Sequence, residues 1–204
     1  MNTKAMFKIG YGLYVLTARE GEVDNGCIVN TVTQVTSSPN RIAVTVNKQN
    51  KTHDMIFATA KVAVSVLTQQ APFSVYQHFG YQSGNQVDKF ADLPGAVRAE
   101  NGLYYLPEYA NAYITGTVYH SIDLGTHTMF LVNVEECEVL NDLPSVTYDY
   151  YQSHVKTSTP SKQAEEPKKG FRCVICGYIY EGEELPPDFI CPICKHGAAD
   201  FEPL

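Results

Sequence analysis

Apolar and polar side chains alternate with period two in five runs of the first 150 residues: GCIVNTVTQVTS (26–37), RIAVTVNK (41–48), AKVAVSVLTQ (60–69), AYITGTVYHSI (112–122) and THTMFLVNVEECEVL (126–140). All five are rich in Val, Ile and Thr, so each predicts a β-strand with one face buried. A shorter alternating run lies within the opening segment MNTKAMFKIGYGLYVLTAREGE. Two stretches break the rule. HDMIFATAK has helical spacing with Thr52 before it as N-cap, and PFSVYQHFG places Pro72 in a first helical turn that stops at Gly80. No internal repeat is visible. Many short strands with two helices predict a closed or partly open antiparallel barrel.

The pattern stops at residue 153. SHVKTSTPSKQAEEPKK (153–169) has Val155 as its one large apolar side chain, and it holds two prolines. Such a stretch buries too little surface to offset its ordering entropy and reads as a tether. As a flexible chain its 17 residues span roughly 20–25 Å. The expected layout is a first domain over 1–152, the tether over 153–169 and a small domain over 170–204.

Length and charge agree with this division. The chain has 204 residues, 44% of them hydrophobic, which suffices for a sizeable core. A formal net charge of −7 argues against nucleic acid and anionic membranes as partners. No run of about 18 apolar residues predicts a membrane span. The opening segment lacks a cleavage site after an apolar core, so a cytoplasmic protein with reduced thiols is expected.

Six cysteines divide into four and two. Cys27 and Cys137 stand apart among apolar neighbours and read as buried, unreactive thiols. Cys173, Cys176, Cys191 and Cys194 form two Cys-x-x-Cys pairs in CVICGYIYEGEELPPDFICPIC (173–194). The segment 171–204 is only 34 residues long, and a chain below about 40 residues usually needs a metal or disulfides to fold. The four thiols are therefore structural whatever else they do. Spacing alone favours zinc, and tetrahedral sulfur suits zinc and iron alike. The intervening residues move the balance to iron. Gly177 follows the first pair, where backbone N–H groups can turn toward sulfur, and Phe171, Tyr178, Tyr180, Phe189 and Phe201 can shield the metal.

This stretch resembles rubredoxin, from the aromatic-x-Cys-x-x-Cys-Gly-Tyr-x-Tyr knuckle through Asp-aromatic-x-Cys-Pro-x-Cys to Asp-Phe-Glu. The resemblance implies one iron on Cys173, Cys176, Cys191 and Cys194. The loop between the pairs is shorter than in free-standing rubredoxins, and Lys195 stands where the second knuckle usually has glycine. Six acidic residues against Arg172 and Lys195 leave 171–204 at a net of −4 (six minus two), which suits docking on a cationic redox partner.

Such an iron takes one electron at a time, whereas nicotinamides deliver two, so a flavin is the natural converter. No G-x-G-x-x-G follows a strand, which disfavours a dinucleotide fold of the doubly wound type. TVTQVTSS is hydroxyl-rich, but Pro39 and another strand follow it rather than a helix. Residues 5 to 150 are instead similar to the flavin reductase-like family, through NGCIVNTVTQVTSSPNRIAVTVNKQNKTHDMI, AVSVL and DLGTHTMFLVNV. The resemblance implies a mainly β, FMN-binding split barrel joined to a small rubredoxin-like iron domain, the arrangement of high-molecular-weight rubredoxins. By that resemblance Asn30, Thr31, Thr33 and Gln34 face the flavin ring edge, and Asn47, Lys48, Asn50, Thr52 and His53 surround its phosphate. His127 matches a position near the nicotinamide, with Thr126 where the family usually has Asp.

The expected activity is electron transfer from NADH or NADPH through FMN to the iron and on to an acceptor, for which the family suggests a flavodiiron protein reducing nitric oxide or dioxygen. A homodimer is also expected. The rival readings are a flavin reductase with a zinc ribbon as staple or docking tag, and a non-enzymatic zinc-binding interaction protein. Taken singly, threonines on a strand usually just satisfy β propensity, and His53 and His127 suit a solvated or packed histidine equally well.

Overall fold

The computed structural model describes residues 2–156, 170–175, 178–192 and 196–204, in two compact units divided at Ser158. In the first unit the strands are β1 (Tyr14–Glu20), β2 (Val23–Val29), β3 (Val32–Ser37), β4 (Asn40–Asn47), β5 (Lys61–Leu67), β6 (Val97–Arg98), β7 (Tyr104–Tyr105), β8 (Ala110–Asp123) and β9 (His127–Val139). Helix α1 (Lys51–Thr59) lies between β4 and β5, and α2 (Phe73–Gly80) follows β5. Seven strands form one antiparallel sheet in the order β2-β1-β5-β8-β9-β4-β3.

Strands β2 and β3 are the two edges of that sheet, yet only Asn30 and Thr31 separate them in sequence. Laid flat, seven strands would put the edges roughly 29 Å apart, at about 4.8 Å per step. Three Cα steps from Val29 to Val32 reach at most about 11 Å. The sheet must therefore curl until its edges meet at this connection. No β2–β3 pairing occurs among the described residues, so the barrel is split rather than closed by hydrogen bonds. GCIVNTVTQVTS, one alternating run in sequence, is thus two strands that break where the edge changes.

Alternation is strict on β4, where Ile42, Val44 and Val46 are buried and their neighbours half-exposed. These three pack with Leu16, Met55, Ile56, Val62, Val64, Phe130 and Val132 to fill the barrel. Strand β1 contributes Leu16 to this core and Val15 to a second one beneath α2, with Leu67, Tyr76, Phe79, Leu106 and Tyr151. Both faces of β1 are covered, which is why four consecutive residues there are buried.

Two expected helix starts shift. Asn50 is the N-cap of α1 in extended conformation, while Thr52 lies inside the first turn. Pro72 is the N-cap of α2. Within the expected tether, residues 153–155 belong to a helical turn, 151–155, that continues from Tyr148–Tyr150 and buries Tyr151. The rest of 153–169, from residue 157 on, falls outside the described residues. Between α2 and β8 runs a long excursion whose strands are the two-residue pair β6 and β7. The Lys89 ammonium bolts it down, donating to the carbonyl oxygens of Gly26 (2.8 Å) and Phe79 (3.0 Å). Burial lowers the Lys89 pKa and raises that of the buried Cys27.

In the second unit β10 (Phe171–Cys173) pairs with β11 (Ile179–Tyr180) on one side and with β12 (Phe201–Pro203) on the other. No helix of the described residues is long and apolar enough to cross a membrane.

Gly116, at a β-bulge between β8 and β9, leaves no room for a side chain, since an added Cβ would overlap the Asn133 carbonyl oxygen. Gly116→Ala is expected to destabilise the first unit by about 1–3 kcal/mol, the usual cost of overpacking. A lowered midpoint in urea denaturation, at unchanged slope, is the measurement that checks it.

Candidate functional site

The β3–β4–β9 region sorts the expected flavin residues by parity. On β4 the even positions fill the barrel, so Arg41, Ala43, Thr45 and Asn47 lie on its outer face. Their cross-strand partners on β9 are Asn133, Leu131, Met129 and His127, and on β3 Thr33 opposes Ala43. Hydrogen bonds confirm the shared face. The Thr31 hydroxyl donates to Thr45 O at 2.9 Å, and Arg41 Nε donates to Asn133 Oδ1 at 2.8 Å. The result is a broad strip of small and medium side chains, half-exposed over most of its length, with Thr31, Thr33, Asn47 and His127 on it.

Asn30 is half-buried at the edge-to-edge connection. Gln34 does not join this face. It pairs with Ile42, on the even side, and donates from Nε2 to Asn40 Oδ1 at 3.0 Å. With Tyr14, Val66, Ile114, Val134 and Cys137 it lines a separate apolar pocket of about 310 Å³. Cys137 is exposed there, contrary to its expected burial, because it lies on the part of β9 beyond the packed core. Cys27 is buried as expected.

Past Asn47 the chain turns into α1. Asn47 Oδ1 accepts from Gln49 N at 2.9 Å and Asn47 O accepts from Asn50 N at 3.0 Å, which shapes the turn before the helix. The Asn50 side chain makes no capping hydrogen bond. Thr52 is fully buried, where its Oγ1 accepts from Asn25 Nδ2 at 3.0 Å. Its hydroxyl thus ties α1 to β2 and is turned away from solvent. His53 is 8% exposed, with Nδ1 2.8 Å from Asp54 Oδ1 and Nε2 2.9 Å from Thr128 Oγ1.

Lys48 sits where α1 approaches the β8–β9 hairpin. Its N–H donates to Thr126 O at 3.1 Å, and its ammonium lies 2.6 Å from Asp123 Oδ1. That hydrogen bond, then one from Gly125 N at 2.7 Å, holds the Asp123 carboxyl below its usual pKa. Lys48, His53, Asp54, Phe57, Ala58, Ser121, Asp123 and Thr128 line a groove of about 500 Å³. Most of these were not singled out in the sequence; the Asp-Leu-Gly-Thr turn was the one local signal for Asp123. His127, half-buried at the same hairpin, has Nδ1 2.9 Å from Thr126 Oγ1.

The second unit is built around its thiols. Among its described residues only Gly170, Cys173 and Cys191 are buried, so it has no aliphatic core. Cys173 N donates to Tyr178 O and Cys191 N to His196 O, both at 2.8 Å, so each Cys-x-x-Cys segment is closed by the same five-residue span. Phe189 packs against Tyr178, Tyr180 and Phe201 at centroid distances of 6.4, 4.7 and 5.4 Å, all four rings remaining half-buried. Cys176, Gly177, Cys194 and Lys195 lie outside the described residues. Two buried thiols on matching turns, in a module whose described residues bury no aliphatic side chain, fit a tetrathiolate metal.

Comparison with known proteins agrees with this division. The flavin reductase like domain model matches residues 6–159, and the rubrerythrin, rubredoxin-like domain model matches 171–202. The high molecular weight rubredoxin of Moorella thermoacetica is 37% identical across the whole of both chains. A ferric-chelate reductase (NAD(P)H) of Archaeoglobus fulgidus is 35% identical, over 78% of this chain and 94% of its own. An NADH:FAD oxidoreductase of Streptomyces globisporus, solved with NAD and FAD fragments, superposes with a TM-score of 0.61 at 25% identity, covering 70% of this chain and 83% of that one.

The chain therefore belongs to the flavin reductase-like family, with a C-terminal rubredoxin-like domain fused to it. Flavin, iron and electron transport come with that pairing, which is shared along its full length with high molecular weight rubredoxin.

Two predictions follow from the geometry. Thr52→Val should cost about 1–3 kcal/mol of stability by leaving the buried Asn25 amide without its acceptor, while the flavin affinity of the folded protein stays unchanged. Chemical denaturation and a flavin titration measure the two effects separately. Cys173→Ser should abolish metal binding and collapse the amide dispersion of 170–204 while the first unit remains folded, as two-dimensional NMR would show.

Proposed function

We propose that the protein takes electrons from NADH or NADPH onto FMN held on the outer β3–β4–β9 face, then passes them through a four-cysteine iron centre to a redox-protein acceptor. The observation that carries this reading is the common face. Thr31, Thr33, Asn47 and His127 come from three strands onto one strip, and Lys48 stands at its end.

On this reading Asn30, Thr31 and Thr33 orient the ring edge. The Asn47–Asn50 turn offers backbone N–H groups and Lys48 a cation to the phosphate, at the positive end of α1. Thr52, buried against Asn25, stays out of the phosphate contacts, and His53 lines the groove beside Lys48. Gln34 is left out of the ring contacts by its parity. His127 positions the nicotinamide from the hairpin, and Cys173, Cys176, Cys191 and Cys194 hold the iron. A bound flavin converts the two-electron delivery of a nicotinamide into single electrons, and a tetrathiolate iron carries them one at a time. The protein's contribution is positioning, and no side chain need move a proton.

The acceptor is a protein with a cationic docking face, because 171–204 carries a net of −4 (six acidic minus two basic residues), and the family resemblance suggests a flavodiiron protein for that role. We place the protein in the reducing cytoplasm as a homodimer. The Archaeoglobus and Streptomyces relatives, named for NAD(P)H and NADH, support the donor class.

Anaerobic stopped-flow mixing of the intact protein with NADH tests the whole route. The flavin band should bleach first and the ferric-thiolate band after it, at a rate independent of protein concentration. Severing the chain within 157–169 should make the second phase proportional to tail concentration and weaken it with added salt. A protein that shows flavin bands without ferric-thiolate bands would instead be a flavin reductase with a zinc ribbon.

A further inference from the structure

We propose that Asp123 is a specificity residue of the flavin site: its carboxylate competes with the flavin phosphate for the Lys48 ammonium and so sets how strongly the site separates FMN from riboflavin. The inference rests on the reading above that Lys48 holds the phosphate.

Lys48 Nζ and Asp123 Oδ1 are 2.6 Å apart, so the cation already has an anion beside it. The carboxylate is not a floating surface group. The same Oδ1 accepts from Gly125 N at 2.7 Å, and Lys48 N donates to Thr126 O at 3.1 Å, so both partners are fixed by one hairpin turn. Yet the pair is displaceable. The Asp123 side chain is 72% exposed and that of Lys48 34%, and an ion pair at such exposure is worth little. Asp54, the other carboxylate lining this groove, bonds His53 rather than Lys48. Asp123 is thus the carboxylate that a phosphate meets when it approaches the ammonium. Such a ligand must take Lys48 from Asp123 and then remain beside the displaced carboxylate, against like-charge repulsion. Riboflavin, which lacks the phosphate, meets neither cost.

The test uses the full-length protein freed of flavin, titrated with FMN and with riboflavin by fluorescence quenching. Asp123→Asn keeps an oxygen acceptor for Gly125 N and so preserves the turn. It is expected to tighten FMN about three- to tenfold while riboflavin affinity stays within about twofold, an effect sized for one exposed ion pair plus its repulsion. In a Lys48→Met background the gain from Asp123→Asn should shrink, because the contest for the cation is gone. An unchanged or reduced preference for FMN in Asp123→Asn overturns the inference and leaves Asp123 a mere prop for Lys48. If Lys48→Met itself leaves the FMN-to-riboflavin preference intact, the phosphate lies elsewhere and the reading beneath the inference fails with it. The two failures are therefore distinct.

Discussion

Two residues, Asn30 and Thr31, have to join the opposite edges of a seven-stranded sheet, and most of the first unit follows from that short reach. A sheet so constrained must curl, and curling gives it an inside. Ile42, Val44 and Val46 then need partners across a lumen rather than a layer, which Leu16, Phe130, Met55 and Ile56 supply. The β3–β4 hairpin sets the hydroxyl-bearing start of β3 beside the end of β4, where Thr31 bonds the backbone of Thr45. The strip of side chains assigned to the flavin is thus the outer surface of the same closure that makes the core.

The second unit answers to a different constraint. It has too few residues to exclude water with hydrocarbon, and its buried side chains are thiols. One unit is held by packing and the other by coordination, so agents that strip metal should act on them unequally. The two also differ in how they carry function. On the proposed reading, the first unit's site is a face assembled from three strands, whereas in the second the ligands and the structural staple are the same atoms.

The sequence was most legible where one face of an element meets water. β4 alternates strictly because its odd positions remain outside, and the five alternating runs all became strands. β1 was harder to read, since both its faces are buried and four residues in succession are apolar or small. The break within GCIVNTVTQVTS was illegible because alternation runs through it; the switch of edge is a long-range event with no local mark. Parity, by contrast, was available. Gln34 is one residue from Thr33, and a single step along a strand turns a side chain to the opposite face. Thr52 was misplaced as a cap because Asn50 competes for that position, and the Asn47 turn ahead of the helix decides between them. The two Cys-x-x-Cys pairs were the most open signal, since their spacing and the small size of the domain pointed to a cross-link through the thiols.

The bolt at Lys89 has a bearing on how such a protein can change over generations. The excursion between α2 and β8 is held by a buried ammonium on two carbonyl oxygens, by the Arg98–Asp24 ion pair, by the Thr17 hydroxyl on the Tyr104 carbonyl and by the burial of Leu103 and Leu106, rather than by a long ladder of strand pairs. Backbone acceptors are indifferent to side-chain identity, so residues around Gly26 and Phe79 can drift without loosening the anchor. Insertions among the exposed residues 85–88, just ahead of Lys89, carry only the modest entropic cost of a longer loop. Change is therefore cheapest at that exposed run, where the first unit can vary without disturbing the excursion's anchors.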